Sequence, residues 1–162
     1  MNPFRSLRGR LFLSHLLVVL LALAGAGLLV SRAARDWVTE TRAADLSLAA
    51  NLAADLLARS PAAWREDWPE AASALGGDLG SRVTLIARDG RVLGDSDVPR
   101  ENLAALENHA TRPEVAAALR TGNGFAVRPS ATLDRLLLYV AARADSGEVA
   151  VVRLAQPVAL IS

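Results

Sequence analysis

The chain has no cysteine and no lysine, and its 162 residues include only three Trp, three Phe and one Tyr. Without thiols it can form neither a disulfide framework nor a zinc site with thiolate ligands. A domain exposed to an oxidising compartment must then hold together by its core alone. All 18 basic residues are arginine, which reads as coding bias and carries no mechanism. Net charge is +1, so no broad basic field invites nucleic acid. The only histidines are His15 and His109, and neither sits in a His-Glu box with a downstream Pro. No glycine-rich ATP loop is present. Kinase chemistry, a cofactor and a metal site are therefore not expected in this chain.

What the chain has is one long apolar run without charge, Leu11 to Val30. At about 1.5 Å per residue such a helix spans roughly 30 Å, the thickness of a bilayer's hydrocarbon core. Arg5, Arg8 and Arg10 precede the run without an acid among them, and Arg32, Arg35, Asp36, Glu40 and Arg42 follow it. The positive-inside rule places the N-terminus in the cytoplasm and the rest outside, in a bacterial inner membrane. A cleaved signal peptide would have a shorter apolar core and a small-x-small site. Here Leu28, Leu29 and Val30 continue past the Ala/Gly cluster, which favours a retained anchor. Ser14 can bond a carbonyl of its own helix, and His15 lies shallow enough to stay neutral near the headgroups. Gly25 and Gly27, with Ala22, Ala24 and Ala26, make a small-residue face that would let two copies approach.

From Ser31 to Ser60 there is no Gly or Pro. Leu46, Ala49, Ala50, Ala53, Leu56 and Leu57 recur at three- and four-residue spacing, so a helix is expected to continue outward from the membrane. Its stripe can pair with a second copy or lie on the chain's own sheet. A short helix is expected over Ala62 to Leu75, carrying Trp64 and Trp68, kinked or split at Pro69 and closed by the loop Gly76 to Gly80. Arg82 to Ala87 and Val92 to Asp95 read as strands about an Asp89-Gly90 turn. A weak helix at Leu103 to Glu107 precedes a clearer one from Pro113 to Arg120, capped by Thr111 and ended by Gly122 and Gly124. Three strands follow: Phe125 to Ala131, Leu136 to Ala144, and Glu148 to Leu154, with Gln156-Pro157 ending the sheet. The expected fold is α+β: a transmembrane helix continuing into a long helix, then a PAS/Cache-like antiparallel five-stranded sheet with helices. The expected organisation is a tail 1–10, a membrane helix 11–31, an outer helix 32–60, a sensor domain 61–157, and at 158–162 the start of a second membrane segment.

The stretches RVTLIARDGRVLGDSD, ENHATRPEVAAALRTGNG, VRPSATLDRLLLYVAA and EVAVVRLAQP come in an order that resembles the extracytoplasmic sensor domain of PhoR/ResE-type sensor histidine kinases. The resemblance rests on Gly94-Asp95-Ser96-Asp97, Glu107-Asn108-His109, Arg112-Pro113-Glu114-Val115, and Arg128 with Ser130, Thr132 and Leu133, and it covers residues 80–157. It implies a sensor set between two membrane helices in a dimer, followed by a HAMP segment, a phospho-accepting helix pair and an ATP-binding domain. This chain would be the N-terminal fragment of such a kinase, or a truncated product.

His109 and Arg112 would present a cationic pair on one helical face to an anionic ligand; the plainer role of Asn108 and His109 is to fix a turn. Arg128, Ser130 and Thr132 alternate on one strand face and could hold a carboxylate or phosphate. Tyr139 should join the core with its hydroxyl at the pocket rim. Asp89, Asp95 and Asp97 lack the ligand density of a calcium loop and read as turn and cap residues. Ser96 has no base partner close in sequence, and Gly122-x-Gly124 lacks the rest of a dinucleotide fingerprint. The expected function is membrane-anchored sensing of a small anionic ligand or an extracytoplasmic protein partner, passed across the membrane by helix displacement. The alternative is a freestanding anchored binding or scaffold protein.

Overall fold

Helix α1 runs Leu7–Arg59, through a stretch where Ala, Leu and Arg dominate and no proline intervenes. In the computed structural model, residues 7–59, 64, 67–130 and 136–158 are described. The chain divides between Thr41 and Arg42 into two units. In the first, every side chain from Leu11 to Val30 is exposed, and the helix is long and apolar enough to cross a membrane. Ser14 Oγ donates to the Leu11 carbonyl at 2.9 Å, and His15 Nδ1 lies 2.8 Å from the same oxygen, so both polar groups are satisfied within the helix.

In the second unit the rest of α1 packs on a five-stranded antiparallel sheet in the order β2-β1-β5-β4-β3. The strands are β1 (Arg82–Ala87), β2 (Val92–Asp95), β3 (Asn123–Pro129), β4 (Leu136–Ser146) and β5 (Val149–Pro157). Ala43, Leu46, Ala50, Ala53, Ala54 and Leu57 of α1 join Val83, Leu85, Leu138, Val140, Val152 and Leu154 in the main core. Ser146 Oγ fastens the end of α1 to the sheet by donating to the Leu57 carbonyl at 3.0 Å. The buried stripe of α1 thus lies on its own sheet. A separate outward row, Leu48, Leu52 and Leu56, stays more than half exposed.

Helix α2 (Trp68–Leu79) starts where the sequence suggested an interruption. Pro69 occupies its first turn, where a missing N–H costs nothing, and Asp67 caps it by accepting from Glu70 N at 3.1 Å. The helix also passes through Gly76 and Gly77 before Gly80 ends it at φ 57, so the expected loop is helical. A 3-10 turn at Arg100–Ala105 replaces the weak helix expected further on. Helix α3 (Pro113–Thr121) forms without the cap expected from Thr111; Arg112 is the N-cap and makes no side-chain bond there. Gly124 and Gln156-Pro157 lie within strands rather than ending elements, because ladder pairing extends to Asn123 and to Pro157. The expected helix end at Pro61 lies outside the described residues.

Helix α3 covers the sheet face opposite α1, where Ile86, Val115, Ala118, Ala141 and Val151 make a second, smaller core. Two helices on opposite faces bury the central strands on both sides. This is why β4 and β5 read as nearly unbroken apolar runs.

Candidate functional site

Side chains alternate along a strand, and register decides which of them meet. Thr84 of β1 pairs with Asp95 of β2 on one side and Arg153 of β5 on the other. Arg153 in turn pairs with Ala141 of β4, which packs against α3. Arg82, Thr84, Asp95, Arg153, Tyr139 and Arg128 therefore all project from the α3 side of the sheet. The covering helix stops at Pro113, and the segment before it, Glu107 to Arg112, roofs the remainder.

That segment is tied to the β1–β2 turn by backbone. His109 N donates to the Gly90 carbonyl at 2.8 Å, Asn108 Nδ2 donates to the Asp89 carbonyl at 2.8 Å, and Ala110 N donates to Asn108 Oδ1 at 2.8 Å. Gly90 sits at φ 86, and a Cβ there would collide with Asn108 Oδ1 and Ala110 N. The turn-fixing role considered for Asn108 is what its side chain does. His109 contributes its backbone, and its ring, bonded to the Glu107 backbone, faces a cavity.

The cavity measures about 210 Å³ and is lined by His109, Arg112, Arg128, Ser130 and Tyr139. Arg82, Arg153 and Glu107 complete its polar lining. Five of the six candidate residues thus converge on one space, and Thr132 lies outside the described residues. His109 and Arg112 come together through a turn, Arg112 N donating to the His109 carbonyl at 3.1 Å, and not along a helix face. Tyr139 lines the cavity, and its ring carries two guanidinia: that of Arg128 stacks 3.9 Å from the ring centroid, and that of Arg153 lies at 5.2 Å. Such stacking holds a guanidinium plane in place while its N–H groups stay available.

The cluster's charges are joined by a continuous chain of bonds. Arg82 grips Asp95 with Nε at 2.9 Å and Nη2 at 3.1 Å from its two oxygens. Thr84 Oγ1 donates to Asp95 Oδ2 at 2.8 Å and accepts from Arg153 Nη2 at 3.0 Å. Glu114, fully buried at the start of α3, takes Arg128 Nη2 on Oε1 at 3.1 Å, with Arg153 Nη1 at 3.6 Å from the same oxygen. Arg112 pairs with the exposed Glu107 at 2.8 Å, a contact that water screens. Among the described residues, four guanidinia thus face three carboxylates, and Arg128 and Arg153 share one.

Burial, with this surplus added to it, sets the protonation states. Burial, and then the positive charge of Arg153 and Arg112, lower the His109 pKa to about 4, with the Glu107 backbone opposing. His109 is therefore a neutral imidazole near pH 7, which corrects the cationic pair expected from sequence. Burial lowers the pKa of Arg153 to about 10 although Glu114 pulls the other way, so it stays charged.

Arg153 and Arg82 were not singled out from sequence. Arg153 had a signal: it stands alone in VAVVRLAQ, and a charge inside an apolar strand needs a partner or a purpose. Glu114 entered only as part of a motif, whereas it anchors the whole cluster. Asp95 is a buried counterion that also caps Asp97 N at 3.0 Å, while Asp89 serves the turn by accepting from Arg91 N at 3.0 Å. Ser96 Oγ is engaged with Val83 N and Asp97 Oδ1.

No protein-family model matches the chain, and none of the curated proteins is significantly similar to it. Solved structures are similar in fold. The sensory domain of the Campylobacter jejuni chemoreceptor Tlp3 (CcmL) superposes with a TM-score of 0.55 at 15% identity, over 76% of this chain and 56% of that one. The ligand-binding domain of Tlp3 in complex with L-valine gives a TM-score of 0.53 at 15% identity, over 76% and 55%. Its complex with 4-methylisoleucine gives 0.53 at 13%, over 76% and 54%. The chain spans about half the length of these structures. The chain therefore shares its fold with these domains, a long helix and a five-stranded antiparallel sheet with helices, as the order of elements suggested.

Proposed function

We propose that the chain is the membrane-anchored, extracytoplasmic sensing module of a sensor histidine kinase, and that it binds a small anionic ligand in the arginine cavity. The observation that carries the reading is the sharing of one buried carboxylate by Arg128 and Arg153, beside a cavity with room for an oxyanion. Guanidinium groups recognise carboxylates and phosphates through paired charge-assisted bonds. About 210 Å³ suits a molecule of a few carbons and is too small for a nucleotide. The fold supports the sensing role, since the similar structures include a chemoreceptor domain in complex with L-valine. The continuous α1 supports the anchored role: it holds both the exposed apolar run and the stripe packed under the sheet.

In this reading the ligand shifts the balance between two packings of α1, and the displacement crosses the bilayer. The chain itself performs no catalysis, and phosphoryl transfer belongs to the cytoplasmic part of the parent kinase. A homodimer forms through α1, where Leu48, Leu52 and Leu56 offer an apolar row. The test of the site is a thermal-shift screen of the full chain in detergent against small carboxylates, phosphate and matched amides. Stabilisation by anions and not by amides, lost in Arg128→Gln, is expected; equal response to amides refutes the reading. The test of the output is the coding sequence beyond Ser162. An apolar run followed by a kinase supports it, and a stop codon there refutes it in favour of a freestanding anchored binder.

A further inference from the structure

Buried polar groups are nearly always hydrogen-bonded, so exceptions are informative. Among the described residues, the buried side-chain polar atoms without a hydrogen bond are His109 Nδ1, Glu114 Oε2, Arg128 Nε and Arg153 Nε. They all belong to one cluster. Three of the four residues line the cavity, and the fourth, Glu114, is the carboxylate that two of them share. Two are guanidinium donors that an oxyanion can satisfy. His109 Nδ1 is different: it belongs to a neutral ring, where one nitrogen bears a proton and the other can take one.

His109 is only 7% exposed, and charge reaches it from every side of the cavity. Arg153 of β5, Arg128 of β3 and Arg82 of β1 line the sheet wall, with the Tyr139 ring of β4 between them. Arg112 and Glu107 flank it on its own segment, and Glu114 of α3 holds Arg128. Burial first, and the guanidinium charge after it, keep a proton off the imidazole. An anion in the cavity offsets the charge and so removes part of the reason for the ring to stay neutral.

The geometry points to proton-coupled capture: an oxyanion entering the cavity is bound together with one proton, which leaves solvent and settles on the unprotonated ring nitrogen of His109. This rests on the reading of the cavity as an anion site. It makes the module a sensor of ligand and acidity jointly, since the occupied state is favoured when both rise. No covalent bond to the ligand is made or broken.

The size of the coupling follows from the two ends of the titration. Burial and then the arginines hold the imidazole near 4; an anion offsets the arginine part alone and raises it toward the ordinary 6.5, which is the upper bound. Affinity then rises by at most about 30-fold on going from about pH 7.5 to about pH 5, with proton uptake per anion growing toward the acid end of that range. Sulfate and trifluoroacetate are suitable probes because both stay fully ionised throughout. One is tetrahedral like phosphate and the other is a carboxylate. The full chain in detergent is titrated with each by calorimetry, at both pH values and in two buffers of different ionisation heat. A ratio of several-fold, up to about 30, with proton uptake, for whichever anion binds, is the expected result, and the anion that shows it tells a phosphate-like ligand from a carboxylate. In His109→Gln the ratio falls toward one. A ratio near one in the unaltered chain, or a ratio that survives His109→Gln, overturns the coupling and leaves the anion site standing. Failure of both anions to bind at either pH overturns the anion site and the coupling with it.

Discussion

Replacing Glu114 by Gln removes one charge from a side chain with no solvent exposure and leaves its shape intact. In the native domain Oε1 of Glu114 takes Arg128 at 3.1 Å and lies 3.6 Å from Arg153, whose own side chain is 4% exposed. Arg153 remains protonated near pH 7, since its pKa falls only to about 10. Glu114→Gln therefore leaves two guanidinia crowded over Tyr139 with no carboxylate between them. Breaking a buried pair by deleting one partner costs about 3–5 kcal/mol, because the other charge stays behind unpaired. For a domain of this size that lowers the melting temperature by roughly 10–20 °C. Two further measurements tie the loss to charge. Adding Arg153→Met to Glu114→Gln should recover stability, with a coupling of about 1–3 kcal/mol in the double-mutant cycle. Sulfate should raise the melting temperature of Glu114→Gln more than that of the native chain, because an external anion takes over the missing role. The assay is thermal unfolding followed by circular dichroism of the full chain in detergent. A Glu114→Gln variant melting within about 2 °C of the native chain would refute the reasoning, since no unpaired buried charge is that cheap.

Gly90→Ala forces φ 86 on an L residue and drives its Cβ into Asn108 and Ala110, so it should cost at least about 2 kcal/mol in urea unfolding and weaken anion binding by displacing His109. Tyr139→Leu removes the ring under Arg128 and should cost about 1–2 kcal/mol of anion affinity or stability, while Tyr139→Phe keeps the stacking face and should retain most of it. Folding stability should also fall in acid. As pH drops through 6.5 the unfolded chain protonates at His109 while the native one resists down to about 4, so stability present above pH 6.5 is lost by about 3 kcal/mol at pH 4. Urea titrations at the two pH values, compared with His109→Gln, check that contribution.

Much of the fold was legible because each strand carried its own period and turn. Asp89-Gly90 marked the first hairpin, and the β-branched run Arg82 to Ala87 marked its first strand. Helix ends were less legible where one residue type serves two purposes. Pro69 reads as a breaker inside a helix, yet it is harmless in a first turn, and only the Asp67 cap decides between the two. Gly76 and Gly77 favour a loop by propensity, yet both are helical; Gly76 has Ser96 against it and no room for a side chain, while Gly77 has open space beside it. At the site, alternation grouped Arg128 with Ser130, a relation within one short segment, although β3 ends at Pro129. The partnership of Thr84 with both Asp95 and Arg153 depends on register across three strands, which no single segment encodes. The neutrality of His109 was hidden for the same reason, since the burial that chiefly enforces it comes from distant segments and the arginines that add to it lie up to 44 residues away in sequence, at Arg153.

Among the described residues, the inner surface of α1 offers the sheet mostly methyl groups: Ala43, Ala50, Ala53 and Ala54, with Leu46 and Leu57 as the large teeth. Shallow teeth make a smooth bearing, because a small slip along the axis forfeits few close contacts. A shaft seated this way can glide or turn by a fraction of a residue without first being lifted from its bed. The scarcity of bulky side chains along that face thus tunes friction, and it makes a row of alanines as consequential for motion as any charged group is for recognition.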